Sequence, residues 1–174
     1  RTFLQTLYTV IPLLMLVRHM IFYFFYSQMK ENLHFAVFSG GVALYGYTLF
    51  EWELADSRYF FLRSFSLFLL AVLALRFFYS LSYEKIPSRF WYIVSFPLVV
   101  FWISFWLPLY PIDMLVFNGY ILYVFVEIIR ILVQPIRCAR VEGMWIPAMG
   151  ALLFCFNLLF IALAPLIGWS ISYE

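Results

Sequence analysis

The sequence predicts an all-α, polytopic membrane bundle, and three observations predict it. Apolar residue types make up 66% of the 174 residues and charged types only 11%, against roughly 45–50% and about 25% in soluble domains. Mean hydropathy is +0.96. The apolar residues also gather into six long runs separated by short polar or proline-bearing turns. So few charges cannot solvate a globular surface, and no basic run is present to hold phosphates, which excludes a soluble domain, a disordered tail and a nucleic-acid binder. A net charge of +2 implies no acidic partner.

A span needs about 20 mainly apolar residues to cross about 30 Å of hydrocarbon. The first expected span covers 3–26 and ends at the turn Ser27-Gln-Met-Lys-Glu-Asn32. The second covers 33–50, before the acidic segment that holds Glu51, Glu53 and Asp56. The third covers 59–81, before Lys85 and Arg89, and the fourth covers 90–107, stopped by Pro108-Leu-Tyr-Pro111. The fifth covers 112–134, where Pro135 is expected to block continuation. The sixth covers 144–163, before Pro165. Only helices and closed barrels satisfy the backbone in lipid. Barrel strands alternate over about ten residues, whereas these runs are continuously apolar and longer, so they are helices. Short loops make neighbours antiparallel, and residues 1–174 form one transmembrane helical domain.

Basic loop residues set orientation. The first, third and fifth loops hold Lys30, Lys85, Arg89, Arg137 and Arg140, and the opposite side holds Arg1 and Arg58. The odd loops are therefore expected in the cytoplasm, with the N-terminus outside. The chain opens on Arg1, not Met, and is expected to be cut from a longer protein or processed; no signal-peptide pattern is present, so the first run is expected to be a real span. Trp91 and Tyr92, then Trp106 and Tyr110, stand at opposite ends of the fourth span as interfacial anchors.

Away from the span ends, six ionisable groups fall within spans: Arg18, His19, Arg63, Arg76, Glu127 and Arg130. At a rise of about 1.5 Å per residue, all but Arg63 share one depth band near the cytoplasmic face. Arg63 lies near the outer end, within reach of Glu51, Glu53 or Asp56. Glu127 is the sole acid among them and must be neutral or paired. Arg130 follows it at i+3, and Arg18 and Arg76 share its depth. The cluster of Arg18, His19, Arg76, Glu127 and Arg130 is either a structural clamp between helices or a relay that switches partners, and the clamp is the simpler reading.

Tyr120, Tyr123, Glu127, Arg130 and Gln134 recur at steps of three and four, which puts them on one helical face, with Asn118 off it. His19, Tyr23 and Tyr26 form a similar stripe, and His19 reads as a hydrogen-bonded core histidine in preference to a metal ligand. Ala36, Gly40 and Ala43 form a small-residue packing face, with Gly41 and Gly46 nearby. Asn157 is a lone amide near the middle of the sixth span, suited to bonding a neighbouring helix. Cys138 and Cys155 read as reduced packing residues.

Catalytic patterns are missing from the sequence. It contains no H-E-x-x-H, no G-x-S-x-G and no glycine-rich phosphate loop. No Cys/His set has metal spacing, and no metal or other cofactor is expected. An intramembrane enzyme would have to use Tyr123, Glu127 and His19 as acid–base groups. A packing subunit of a membrane complex is the other alternative.

The segment Arg18-His-Met-Ile-Phe-Tyr-Phe-Phe-Tyr-Ser-Gln-Met-Lys-Glu-Asn-Leu-His-Phe-Ala-Val-Phe38 carries a first-helix end, a charged turn and a second-helix start. Together with Arg58-Tyr-Phe-Phe-Leu-Arg-Ser-Phe-Ser-Leu-Phe-Leu-Leu70 and the basic turn Ile131-Leu-Val-Gln-Pro-Ile-Arg-Cys-Ala-Arg-Val-Glu-Gly143, it resembles bacterial seven-transmembrane receptors with diverse intracellular signalling modules. Asn157 stands where that family tends to carry a polar residue. The resemblance implies the membrane region of a bacterial inner-membrane signalling receptor. A seventh helix and a cytoplasmic output domain would then follow, and the chain itself would not be an enzyme. It implies as partners the bilayer, an extracytoplasmic ligand and, as an option, a second copy of the chain. It supplies no catalytic residues.

Overall fold

A computed structural model describes residues 2–50, 57–83, 85–106 and 112–138, and beyond these 150, 152, 153 and 156. Five helices are defined: α1 (Thr2–Phe25), α2 (Lys30–Phe50), α3 (Ser57–Ser82), α4 (Ser88–Trp106) and α5 (Ile112–Cys138). No strand occurs among the described residues. The chain is all-α, and each helix coincides with one of the apolar runs.

Two boundaries differ from expectation. α2 begins at Lys30, ahead of the expected 33, with Glu31 in its first turn. A carboxylate there faces the positive end of the helix dipole, which favours the extra turn. α5 continues past Pro135 to Cys138. A proline forfeits one backbone hydrogen bond and crowds the carbonyl four residues back, but a helix can absorb that loss. Pro12 and Pro97 also lie inside unbroken helices. Of the sixth expected span, 144–163, residues 150, 152, 153 and 156 are helical. Asn157, Cys155, Arg140 and the acidic segment 51–56 lie outside the described residues, as do the side chains of Arg63 and Gln134.

By length and composition, two stretches among the described residues can cross a bilayer, Thr6–Phe25 and Ser64–Ser82, while Ser88–Val100 is apolar but shorter. α2 carries Lys30, Glu31, Asn32 and three glycines, which dilutes its hydropathy. For α1 the exposure pattern agrees with a membrane setting. Apart from a half-buried stripe through Tyr8, Pro12, Leu16, His19 and Tyr23, most of its described side chains are exposed, Leu14 at 64% and Phe24 at 75%. A soluble monomer rarely shows a contiguous apolar patch beyond a few hundred Å².

The chain forms two compact units, Arg1–Leu81 and Ser82–Glu174. In the first, α2 is the central helix, buried or half-buried from Ala36 to Thr48 except for a narrow stripe of Val37, Leu44 and Tyr47. Its glycines let both neighbours approach. A Cβ built on Gly40 would stand 2.7 Å from Leu16 Cδ1 of α1, and one on Gly46 would collide with the Tyr8 backbone carbonyl of α1. A Cβ on Gly41 would stand 2.8 Å from Leu73 Cδ1 of α3. The glycines thus serve both flanks of α2, which is how small residues help helices associate in lipid. Ala36 and Ala43 are buried alongside them.

Contacts along α2 run in opposite order on its partners, so the three helices alternate in direction. Phe35 meets Phe77 at 5.3 Å between ring centroids, and Phe38 stacks on the same ring at 5.8 Å. One end further along, Thr48 Oγ1 donates to its own Tyr45 carbonyl at 2.9 Å. With that proton committed, the Ser66 hydroxyl of α3 donates to Thr48 at 2.9 Å. In the second unit, α4 buries Phe90, Ile93 and Pro97, at steps of three and four, and α5 buries Tyr120, Ile121, Val124, Ile128 and Ile131. Phe156 meets Phe125 of α5 edge-on at 4.8 Å.

Candidate functional site

The polar stripe of α5 lies along the margin of its buried face. Tyr120 and Glu127 are buried, Tyr123 is exposed, and Arg130 is half-buried. The apolar residues Val124, Ile128 and Ile131 fill the rest of that face. Glu127 has 4% of its side chain exposed and Arg130 39%. The guanidinium grips the carboxylate with both arms: Nε donates to Oε2 at 2.8 Å and Nη2 to Oε1 at 2.7 Å. Two parallel charge-assisted bonds are the strongest arrangement open to this pair. They supply the counter-charge that an acid in low dielectric requires. The i, i+3 spacing sets the pair on adjacent turns, and the length of the arginine lets part of its head reach the surface.

A second guanidinium stands close by. Arg89, in the first turn of α4, lines the same groove as Tyr123 of α5. The Tyr123 phenol, and behind it the Glu127 carboxylate, hold Arg89 above the ordinary arginine range, with Arg130 opposing. One buried carboxylate therefore sits in the field of two arginines, bonded to one and attracting the other. Between α4 and α5 lies a groove of about 290 Å³ lined by Arg89, Tyr92, Ile93, Phe96, Tyr120 and Tyr123. Ile93 and Tyr120 form its buried floor, and the other four are exposed at its rim.

The remaining cluster residues belong to the first unit. His19 donates from Nδ1 to Asn32 Oδ1 at 3.1 Å and packs its ring on Phe35 at 4.4 Å. It is a satisfied histidine that ties α1 to the first turn of α2. Asn32 also donates through Nδ2 to Met29 Sδ at 3.8 Å, which steadies the turn. Arg18 is exposed, with its guanidinium carbon 5.4 Å from the Phe22 ring one turn on. Arg76 is also exposed. Long arginine stems of this kind can carry their heads to the membrane surface. Among the described residues, no group of three or more His, Cys, Asp or Glu could hold a metal ion.

Sequence reasoning placed Glu127 and Arg130 together but missed Arg89, which it counted as a loop charge that sets orientation. It also missed Asn32 as the histidine's partner. The signal for Arg89 was there to read: an arginine directly before Phe90-Trp-Tyr opens an interfacial aromatic segment. Comparison with protein-family models, with curated proteins and with solved structures yields no match, so this chain is assigned to no family.

Proposed function

We propose that the chain is the membrane region of a bacterial signalling receptor in the inner membrane. In this reading it crosses the bilayer six times with its odd loops cytoplasmic, and it relays an extracytoplasmic signal to an output domain beyond the chain. The observation that carries the proposal is the arrangement around Glu127. Its carboxylate is bonded to Arg130 on its own helix and attracts Arg89 on the next. In lipid an unpaired charge is costly, so exchange between two arginines gives discrete states instead of a gradual slide. A difference of a few kcal/mol redistributes such states. The family resemblance of the charged turns supports the same reading.

The experiment is Glu127→Gln in the full-length protein, with basal and stimulated output and expression measured together. A relay gives a shifted basal output at normal expression. An unchanged ratio in well-folded protein removes the relay and leaves a clamp, the role expected of a packing subunit. The full-length coding sequence gives a second test. A catalytic domain after a further span supports the receptor, and a stop codon shortly after Glu174 counts against it.

A further inference from the structure

We propose that the groove between α4 and α5 binds the headgroup of an anionic phospholipid, with Arg89 as its cationic contact. The proposal requires that this unit sit in a membrane, but it does not require a receptor. Three features of the groove carry it.

The first is shape. At about 290 Å³ the groove is at the small end of ligand sites, which run from about 300 to 1,000 Å³. It is open along its rim, where Arg89, Tyr92, Phe96 and Tyr123 are exposed. A bilayer lipid could enter sideways without any helix moving.

The second is the order of its lining along α4. Arg89 comes first, Tyr92 and Ile93 follow one turn on, and Phe96 comes last. Over about 10 Å of helix the lining passes from a full charge, through a phenol, to hydrocarbon. That gradient fits an amphiphile, whose anionic head would lie at Arg89 and whose chain would run past Phe96. A free inorganic anion would use one end only. Trp91, exposed two residues along α4 from Arg89, puts that end of the groove at the depth where indole rings settle.

The third is charge. Among the described residues beside the groove, Arg89 and Arg130 contribute two positive charges and Glu127 one negative, an excess of one positive charge. Arg130 is taken up by both oxygens of Glu127, so the surplus resides on Arg89. Arg89 and Tyr123 are both exposed at the groove rim, where the guanidinium N–H groups can donate to a phosphate, a ligand that arginine's planar fork suits. Basic pockets between membrane helices on the cytoplasmic side are suited to anionic headgroups.

The test uses the whole chain purified in detergent. Native mass spectrometry would measure retention of phosphatidylglycerol against phosphatidylcholine, with inorganic phosphate as a separate arm. The wild type is expected to prefer phosphatidylglycerol about tenfold, the scale of one charge-assisted contact. Arg89→Gln should abolish the preference, and Arg18→Gln, at an exposed arginine of the other unit, should leave it intact. Tyr92→Glu changes an exposed residue and puts a negative charge in the groove, so it should abolish the preference even if Arg89→Gln does not fold. Equal retention of the two lipids by the wild type would overturn the proposal. So would a preference that survives Tyr92→Glu or a monodisperse Arg89→Gln, or phosphate binding as tight as lipid binding.

Discussion

At the scale of single residues, Glu127 organises the second unit, and its neighbourhood sets what a substitution does there. Removing one member of a fully buried ion pair costs roughly 3–5 kcal/mol, because the other charge is stranded. Arg130 is not stranded in that way, since its side chain is 39% exposed. Glutamine also retains an oxygen that can accept one guanidinium bond. Glu127→Gln is therefore expected to destabilise by only about 1 kcal/mol, read as a small loss of thermal stability in detergent. Glu127→Leu should behave differently, because it removes both acceptors while Arg130 stays part-buried, and should cost more. Asn118 presents the opposite case. Its Nδ2 is buried without a hydrogen-bond partner. An unmet donor of that kind costs about 1–3 kcal/mol, so Asn118→Leu should be neutral or should raise stability by about 1 kcal/mol in the same measurement. The role of Glu127 was legible in the sequence because a lone acid in an apolar run must find a partner, and Arg130 stands at i+3. Arg89 was not legible, because its nearness to Tyr123 depends on how α4 and α5 pack.

At the scale of elements, the helices follow directly from the apolar runs, and the errors lie at their ends. Pro135 was read as a stop, but one missing N–H does not end a helix that can satisfy its other backbone groups. Lys30 was read as loop because it is charged, although a charged first turn costs a helix little. The glycines of α2 were legible as a packing face, but not as two faces serving α1 and α3. The structure distinguishes them by what each one touches. A Cβ on Gly40 meets only the tip of the Leu16 side chain, which can rotate away, whereas a Cβ on Gly46 meets the Tyr8 backbone, which cannot. Gly46→Ala should therefore force α1 from α2 and cost about 1–3 kcal/mol, the range for overpacking. Gly40→Ala should cost less. Parallel thermal unfolding of the two variants in detergent checks the order, and equal losses would contradict it.

At the scale of the whole molecule, the account depends on the bilayer. An apolar α1 exposed outside one half-buried stripe, a second apolar stretch at Ser64–Ser82 and a buried ion pair on α5 fit together if hydrocarbon is the solvent. The all-α class was legible from the long apolar runs, and it is the 11% of charged residues that motivates reading the bilayer as the solvent. The direction proposed for each crossing rests on loop charges, and packing within each unit does not determine it. The most direct measurement is cysteine accessibility in a background without Cys138 and Cys155, with single cysteines at Ser57 and Ser88 labelled by an impermeant maleimide from each side of sealed inverted and right-side-out vesicles. These positions bracket α3, so the account predicts labelling at Ser57 from the outside and at Ser88 from the cytoplasmic side. Labelling of both from the same side would contradict it.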